Sequence, residues 1–164
     1  MHPLLLALHL FVATPDAVVS TSTPTHYISY VGYEDGQTIT PPNGQLTWPT
    51  NVTKLTRGFE VGGHTGMDID ARTGDPVYAA FAGTVVTVSH TGPYGNKIII
   101  RHANRADQIS TLYAHLTDTV VTEGQTVSAG EIIGTVGATG NADGDHLHFE
   151  VLVNDVAVDP QLYF

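Results

Sequence analysis

From residue 58 onward, short β-branched runs alternate with turn-forming Gly, Asn and Pro residues, and no segment keeps a helical period. The strand candidates are residues 77–89, 96–102, 109–115, 131–136 and 146–153. Regular short strands separated by turns are typical of an all-β sheet, sandwich or barrel. We therefore predict an all-β fold: a compact antiparallel sheet or sandwich domain with a groove lined by loops.

The amino-terminal part of the chain has a different composition. Residues 3–13 are nearly all apolar but fall short of the roughly 20 residues that span a membrane, so no membrane span is predicted. Two interpretations of residues 1–17 stay open: the apolar centre of a secretory signal, or a buried strand or helix. The lack of any basic residue before Lys54 argues against the signal. Residues 18–43 predict a linker or irregular arm, and we expect the folded domain at 44–164, with an opening strand around Trp48.

Charge limits the range of partners. The net charge is −10, with only 6 Lys and Arg in the chain. Without a basic run there is no electrostatic footprint for nucleic acid, and an anionic partner must be attracted by specific contacts. The absence of cysteine removes disulfides, thiolate zinc sites and cysteine nucleophiles. We expect a monomer with no nucleic-acid partner.

The stretch 145–153 has the pattern of a strand with two chemically different faces. Alternate residues from Leu147 onward are apolar, whereas His146, His148 and Glu150 fall on the other face. The two imidazoles would be about 7 Å apart along the strand. A metal ion or a polar substrate would use such a pair; the alternative is a half-exposed strand that carries two histidines.

Two further motifs contain residues suited to chemistry. On a straight strand, His64 and Asp68 would be about 13 Å apart and could not share an ion, so the backbone must turn near Gly66. At the end of strand 109–115, Tyr113 and His115 are expected to share a face. Polar loop or strand residues with structural roles are the alternative for both motifs.

A three-ligand metal site can be assembled from these motifs. His64, Asp68 and one histidine of the pair at 146 and 148 would supply two imidazoles and a carboxylate. An open fourth position beside such a set is the pattern of catalytic zinc. An iron oxygenase triad uses the same donors, so the donors alone leave the metal open.

The ordered motifs resemble those of the lysostaphin-type zinc endopeptidases, which cut peptidoglycan peptides. The motifs are His64-x-x-x-Asp68, Tyr113-Ala-His115-Leu and His146-Leu-His148-Phe-Glu, with supporting segments at 73–80, 83–86, 94–96 and 137–140. The resemblance covers about residues 58–160. Three ordered motifs are more specific than any one of them.

The resemblance implies a role for each matching residue. His64, Asp68 and His148 match the zinc ligands, for one Zn²⁺ per chain. His115 and His146 match the two unligated histidines that face the scissile bond. Zinc activates a water, one free histidine acts as general base and the other stabilises the oxyanion; the sequence leaves open which does which.

Two more residues are candidates to support the site. Tyr113 lies on the expected face of His115, and Glu150 on that of His148. Asp145 stands where the family usually has a proline, and residues 44–59 match only faintly. These departures leave room for a different substrate preference.

The predicted function is that of a zinc-dependent metalloendopeptidase. It would hydrolyse peptidoglycan cross-links or stem peptides outside the cytoplasm, as a secreted, envelope-bound or virion-associated protein. One alternative is a non-catalytic member of the same fold that binds the cell wall or activates another hydrolase. A carrier-like β-domain is a weaker alternative, because the chain has no lysine after Lys97.

Overall fold

The computed structural model describes residues 46–102 and 108–164, which form antiparallel β-sheets and one short 3-10 helix. In chain order the elements are β1 (Leu55–Arg57), β2 (Met67–Ile69), β3 (Pro76–Tyr78), β4 (Gly83–His90), β5 (Asn96–His102), β6 (Ile109–Leu116), β7 (Asp118–Thr119), β8 (Thr126–Val127), β9 (Ile132–Thr135), β10 (Leu147–Val153), β11 (Val156–Val158) and η1 (Pro160–Tyr163). The segments 1–17 and 18–43 lie outside the described residues, as do residues 44 and 45. Within the described ranges, no helix has the length and apolarity to cross a membrane.

The larger sheet surrounds β10, the strand that carries most of the histidine motif. Its strand order is β1-β2-β10-β6-β5-β4-β8, with β11 also paired to β10. On one side β10 pairs with β6; on the other, residues 147–149 pair with β2 and residues 151–153 with β11. Both edges of β10 are therefore hydrogen-bonded along its length, which holds its side chains in a fixed register.

A smaller sheet with the order β3-β9-β7 shares the core with the larger one. Val77 and Ile133 from the smaller sheet belong to the same fully buried cluster as Ile98, Leu147 and Phe149 from the larger sheet. Burying one such side chain contributes about 1.5–3 kcal/mol. The core thus fixes the apolar face of β10 and turns its other face toward the loops.

The other face of β10 is polar but nearly as buried. His148 is 5 % exposed and Glu150 is 3 % exposed. Buried polar groups of this kind destabilise a fold unless they are hydrogen-bonded or bind a ligand. The burial of these two residues indicates that this face of β10 contains a candidate functional site.

The predicted all-β fold is confirmed, and β5 matches its expected bounds. The candidate strand 77–89 is wrong as a single strand, because it forms β3 and β4 in different sheets. The chain leaves the smaller sheet at Ala80, whose N–H donates to the Tyr113 hydroxyl at 2.8 Å.

The opening strand expected around Trp48 is also wrong within the described residues, where the first strand is β1. The Leu46 N–H donates to the Tyr163 carbonyl and the Thr47 N–H to the Ala80 carbonyl, but no ladder forms. Trp48 donates its indole N–H to the Val52 carbonyl. The indole is therefore satisfied by a local turn instead of a neighbouring strand.

Candidate metal centre and active site

The register of two neighbouring strands brings together a carboxylate and an imidazole. Asp68 in β2 stands directly opposite His148 in β10, so both side chains lie on one face of the sheet. Asp68 Oδ1 is 2.8 Å from His148 Nδ1. His64, from the loop before β2, places its Nε2 3.1 Å from each of these two atoms. The three residues predicted as metal ligands are therefore brought together at one point.

Gly66 allows the loop to return onto the sheet. A Cβ built at this position would lie 2.4 Å from the Phe149 carbonyl oxygen, closer than any real contact. The loop therefore approaches β10 so closely that only glycine fits, which places His64 above the strand. The predicted turn near Gly66 is present, and its cause is this close approach to Phe149.

Hydrogen bonds fix the tautomers of the two histidines that are predicted as metal ligands. His64 Nδ1–H donates to the Gly58 carbonyl at 2.7 Å, and His148 Nε2–H donates to Glu150 Oε1 at 3.0 Å. These bonds leave a lone pair on His64 Nε2 and on His148 Nδ1, both directed at the Asp68 carboxylate. Three electron-rich atoms this close together repel one another unless a cation or a proton lies between them.

The donor set fits zinc. Ligand atoms about 2 Å from a common tetrahedral centre are a little over 3 Å apart, close to the separations among His64, Asp68 and His148. Two imidazole nitrogens and one carboxylate oxygen are donors that Zn²⁺ takes readily. In the described part of the chain, this is the one group of three or more such residues arranged to hold a metal.

Glu150 is the centre of a small hydrogen-bond network behind His148. Its Oε1 accepts from the Thr65 hydroxyl at 2.5 Å and from the Tyr94 hydroxyl at 2.7 Å, as well as from His148. The expectation that Glu150 supports His148 agrees with this geometry. Thr65 and Tyr94 were not expected as partners; no spacing in the sequence links residues this far apart, although Thr65 is next to His64.

The charges in the site are strongly coupled. Burial opposes a charge on His148, but hydrogen bonds to Asp68 and Glu150 outweigh it and raise its pKa to about 9. Burial likewise opposes the charges on Asp68 and Glu150, yet their hydrogen bonds to His148 help to lower both carboxyl pKa values. Without a metal, a proton on His148 therefore takes the place of a cation between the two carboxylates.

A β-bulge turns His115 toward the site. Between the pairs Asn96–Leu116 and Ile98–Tyr113, β6 has one more residue than β5. His115 has a positive φ of 60°, an uncommon conformation for a residue with a side chain. A bulge can redirect a side chain in this way.

The same bulge explains why one expectation about the site was wrong. Tyr113 does not share the face of His115: it is fully buried in the core, packed on Phe149 with ring centroids 5.3 Å apart. Its hydroxyl accepts from the Ala80 N–H and from Thr111, and burial is the main cause that raises its pKa to about 12. Simple alternation along the strand fails at His115, so Tyr113 is a core residue.

His115 and His146 form a pair beside the three predicted ligand residues. Their ring centroids are 4.9 Å apart. His115 Nδ1–H donates to the Thr139 carbonyl at 2.8 Å and His146 Nδ1–H to the Gly144 carbonyl at 2.9 Å. Each ring therefore keeps Nε2 as its available nitrogen.

The two rings differ in their surroundings. His146 Nε2 lies 3.7 Å from Asp68 Oδ1, farther than the ligand nitrogens of His64 and His148. His115 is buried, and this burial is the main cause that lowers its pKa. The available nitrogen of His115 therefore stays unprotonated at neutral pH, as a proton acceptor requires.

All five predicted site residues line one cleft of about 500 Å³. The other described residues that line it are Thr56, Arg57, Pro93, Tyr94, Asn141, Asp143, Gly144 and Asp145. The backbone N–H of Thr73 donates to Asp145 at 3.2 Å. The residue that departs from the proline of the family thus ties the loop before β10 to the turn after β2.

A β-sheet domain in which two imidazoles and a carboxylate converge beside two further imidazoles has the donor set typical of metal-dependent hydrolases. The sequence matches the model of peptidase family M23 over residues 62–160, more than half of the chain. The chain therefore belongs to peptidase family M23, and the resemblance to lysostaphin-type peptidases is confirmed.

Individual relatives agree with this assignment. The chain is 45 % identical over 97 residues to the DD-carboxypeptidase/endopeptidase Mpg of Neisseria meningitidis serogroup B, covering 59 % of this chain and 22 % of that protein. A zinc-containing peptidase from Vibrio cholerae has a TM-score of 0.65 and 35 % identity, over 71 % of this chain and 39 % of that one. The catalytic domain of lysostaphin from Staphylococcus simulans has a TM-score of 0.57 and 32 % identity, over 72 % and 86 %. The chain spans about a fifth of the length of Mpg.

Proposed function

We propose that this chain is a zinc-dependent endopeptidase that hydrolyses peptide bonds in bacterial peptidoglycan, in cross-links or in stem peptides. The observation that carries the proposal is the convergence of lone pairs from His64, Asp68 and His148 beside two imidazoles that are not needed as ligands. A purely structural metal site would be closed by a fourth protein ligand and would have no use for that second pair.

The chemistry divides among the residues in a simple way. A zinc ion held in this site would lower the pKa of a bound water molecule and polarise the carbonyl oxygen of the scissile bond. His64, Asp68 and His148 hold the ion, and Glu150 fixes the orientation of His148. The three residues line a cleft of about 500 Å³, in which a peptide substrate would bind.

His115 and His146 share the proton transfer and the stabilisation of charge. One available Nε2 accepts the proton of the attacking water and passes it to the leaving amine. The other Nε2, protonated, donates a hydrogen bond to the oxygen that becomes negative as the carbonyl is attacked. The carbonyl groups of Thr139 and Gly144 hold the two rings in the required tautomer.

Peptidoglycan as the substrate is supported by the family and by a relative from Vibrio cholerae that is named a peptidoglycan DD-endopeptidase. Because peptidoglycan lies outside the cytoplasm, the proposal includes work in the cell envelope, in the medium or on a virion. Among the described residues, Arg57 is the single Arg or Lys that lines the cleft, so the cleft has no basic track for a polyanion such as nucleic acid.

The decisive experiment measures zinc and turnover together. The full chain is loaded with zinc, its metal content is determined, and new amino termini are counted during digestion of purified peptidoglycan. We expect about one zinc per chain and a steady release of amino termini that stops on chelation and returns with zinc. Zinc binding without any release would instead identify a non-catalytic member that binds the wall or activates another hydrolase.

A further inference from the structure

We propose that Arg57 is a specificity residue that binds a free carboxylate of the substrate next to the scissile bond. This inference rests on the proposed peptidase function and adds the class of peptide that the cleft selects. The substrates that the cleft would select are peptides with a free carboxylate within about one residue of the scissile bond.

A bulge in β1 brings Arg57 beside the metal ligands. Leu55 pairs with Ile69 and Arg57 pairs with Asp68, so β1 contains one more residue than β2 between these two pairs. In a regular ladder Thr56 would stand opposite Asp68. The extra residue puts Arg57 there instead, on the same face as the carboxylate ligand.

The position of Arg57 across the sheet suits a residue that holds one side of a substrate. Arg57 in β1 is opposite Asp68 in β2, which is opposite His148 in β10. His115 comes from β6, on the other side of β10. Arg57 is therefore one strand spacing of about 4.8 Å from Asp68 and two from His148. A peptide that enters from the side of His115 and crosses these two residues would next reach Arg57.

Charge makes Arg57 the natural partner for an anion. It is the single Arg or Lys among the described residues that line the cleft, which also include Asp143 and Asp145. The net charge of the chain is −10, so a substrate carboxylate is repelled unless a specific cation receives it. Arginine suits this role because its planar fork binds carboxylates in a bidentate manner.

In the structure the Arg57 fork is occupied by a carboxylate that a substrate can replace. Glu60 lies 3.2 Å from the terminal nitrogen and 3.4 Å from Nε of Arg57, and both side chains are more than half exposed. Exposed ion pairs contribute little stability, so exchanging one carboxylate for another is inexpensive. Glu60 belongs to a turn in which its own N–H donates to the His64 carbonyl. The backbone of Glu60 can therefore stay in this turn while its side chain gives up the Arg57 guanidinium to a substrate carboxylate.

The test compares peptides that differ only in one carboxylate. One pair is a stem-type peptide ending in a free carboxylate and the same peptide ending in a carboxamide. The other pair is a cross-linked peptide dimer whose diamino acid has a free or an amidated α-carboxyl group. For each pair, the ratio of kcat/KM for the acid to kcat/KM for the amide is measured on the zinc-loaded full chain.

We expect Arg57→Gln to lower the acid-to-amide ratio about tenfold in at least one pair, the usual loss for a hydrogen bond to a charged group. The pair that responds identifies whether the carboxylate is the chain terminus or the diamino acid. Arg57→Lys should give an intermediate ratio, and Glu60→Gln should raise the ratio by removing the competitor. Lys54→Gln is the matched control: this lysine pairs with Asp70 and does not line the cleft, so the ratio should not change.

Binding to a slow variant separates this inference from the proposed function. In the slow His146→Ala background, calorimetry gives a second acid-to-amide ratio, that of the association constants of the acid and the amide. If Arg57→Gln leaves this ratio unchanged in both pairs, the inference is overturned even when the wall is hydrolysed. If the ratio falls but no wall peptide is ever cut by the parent chain, the carboxylate site stands and the proposed function fails.

Discussion

Glu150 Oε1 lies 3.0 Å from His148 Nε2, on the side of the ring away from the metal ligands. This contact sets the tautomer of His148 and leaves its Nδ1 directed at Asp68. A carboxylate behind a ligand imidazole also makes the ligand more basic. Glu150, which is not one of the three predicted ligands, should therefore affect the affinity of the site for metal.

The Glu150→Gln variant should bind zinc about 10–100-fold more weakly, the range typical for loss of such a supporting group. Competition with a chromogenic chelator measures the change. Thr65→Val and Tyr94→Phe each remove one donor to Glu150 but keep its charge, so they should have smaller effects. Equal zinc affinity in the parent and in Glu150→Gln would contradict the role of this contact.

Replacing either histidine of the 146–148 pair should have separable effects. His148→Ala removes a ligand atom, so we expect loss of both stoichiometric zinc and turnover. His146→Ala leaves the three ligand residues in place and should keep zinc while losing turnover by at least about 100-fold, as for loss of a general acid or base. Metal analysis and the release of amino termini, measured on the same preparations, test this prediction. Turnover at the parent rate in both variants would contradict the assignment of the site residues.

The metal-free chain should be most stable in mildly acidic solution. The pKa of His148 is raised to about 9, so the stabilisation from its proton is complete below about pH 6.5 and is lost as pH rises through about 9. Its size is on the order of 3 kcal/mol at most, given about 1.4 kcal/mol per pKa unit. The lowered carboxyl pKa values of Asp68 and Glu150 act in the opposite direction: their contribution is lost as pH falls through those pKa values.

Chemical denaturation of the chelated protein at several pH values measures this profile. Saturating zinc should abolish the alkaline loss, because the ion replaces the proton on His148 and binds more tightly as that proton leaves. A stability curve of the chelated protein that stays flat from pH 6 to pH 10 would contradict the prediction.

Turnover should fall at acid pH for two reasons that can be told apart. Ligand histidines bind zinc only when neutral, and the available nitrogen of His115 accepts a proton only when free. Burial lowers the pKa of His115, so its own loss occurs below the ordinary value of about 6.5. Excess zinc should recover the part of the loss that arises from metal release, and a remaining loss below about pH 6.5 would identify His115 as the proton acceptor; a rate that is constant down to pH 4 would refute both causes.

Gly66→Ala should destabilise the fold and weaken zinc binding together. The added Cβ would lie 2.4 Å from the Phe149 carbonyl oxygen, so the loop that carries His64 must move. Comparable overpacking costs roughly 1–3 kcal/mol or more. Gly58→Ala is the matched control, since its nearest contact would be an ordinary 3.8 Å and its carbonyl remains available to His64. Thermal unfolding and zinc titration of both variants test the difference.

Much of this arrangement follows from local patterns in the sequence. Alternation along residues 146–153 predicts that His146, His148 and Glu150 share a face, and the contact between His148 and Glu150 agrees with it. The distance argument that requires a turn near Gly66 is equally local. The family was recognised from the order of the three motifs, because no single strand is specific enough to indicate it.

The remainder depends on bulges, which alternation cannot reveal. One extra residue in β6 sends His115 into the cleft and leaves Tyr113 in the core. One extra residue in β1 shifts the register, so that Arg57 and not Thr56 stands opposite Asp68. Thr65 and Tyr94 meet at Glu150 only because three separate parts of the chain converge in space, so the pairing leaves no trace in sequence spacing.

Because β10 is held on both edges, its pairing also decides whether the chemistry exists at all. A slip of one residue against β2 would exchange the two faces: the imidazoles of His146 and His148 would enter the core and Leu147 would face water. Such a slip would remove both imidazoles from the cleft, whereas His64, Asp68 and His115 belong to other elements and would lose their partners. The same strand pairing that buries Leu147 and Phe149 in the core therefore also places His148 opposite Asp68.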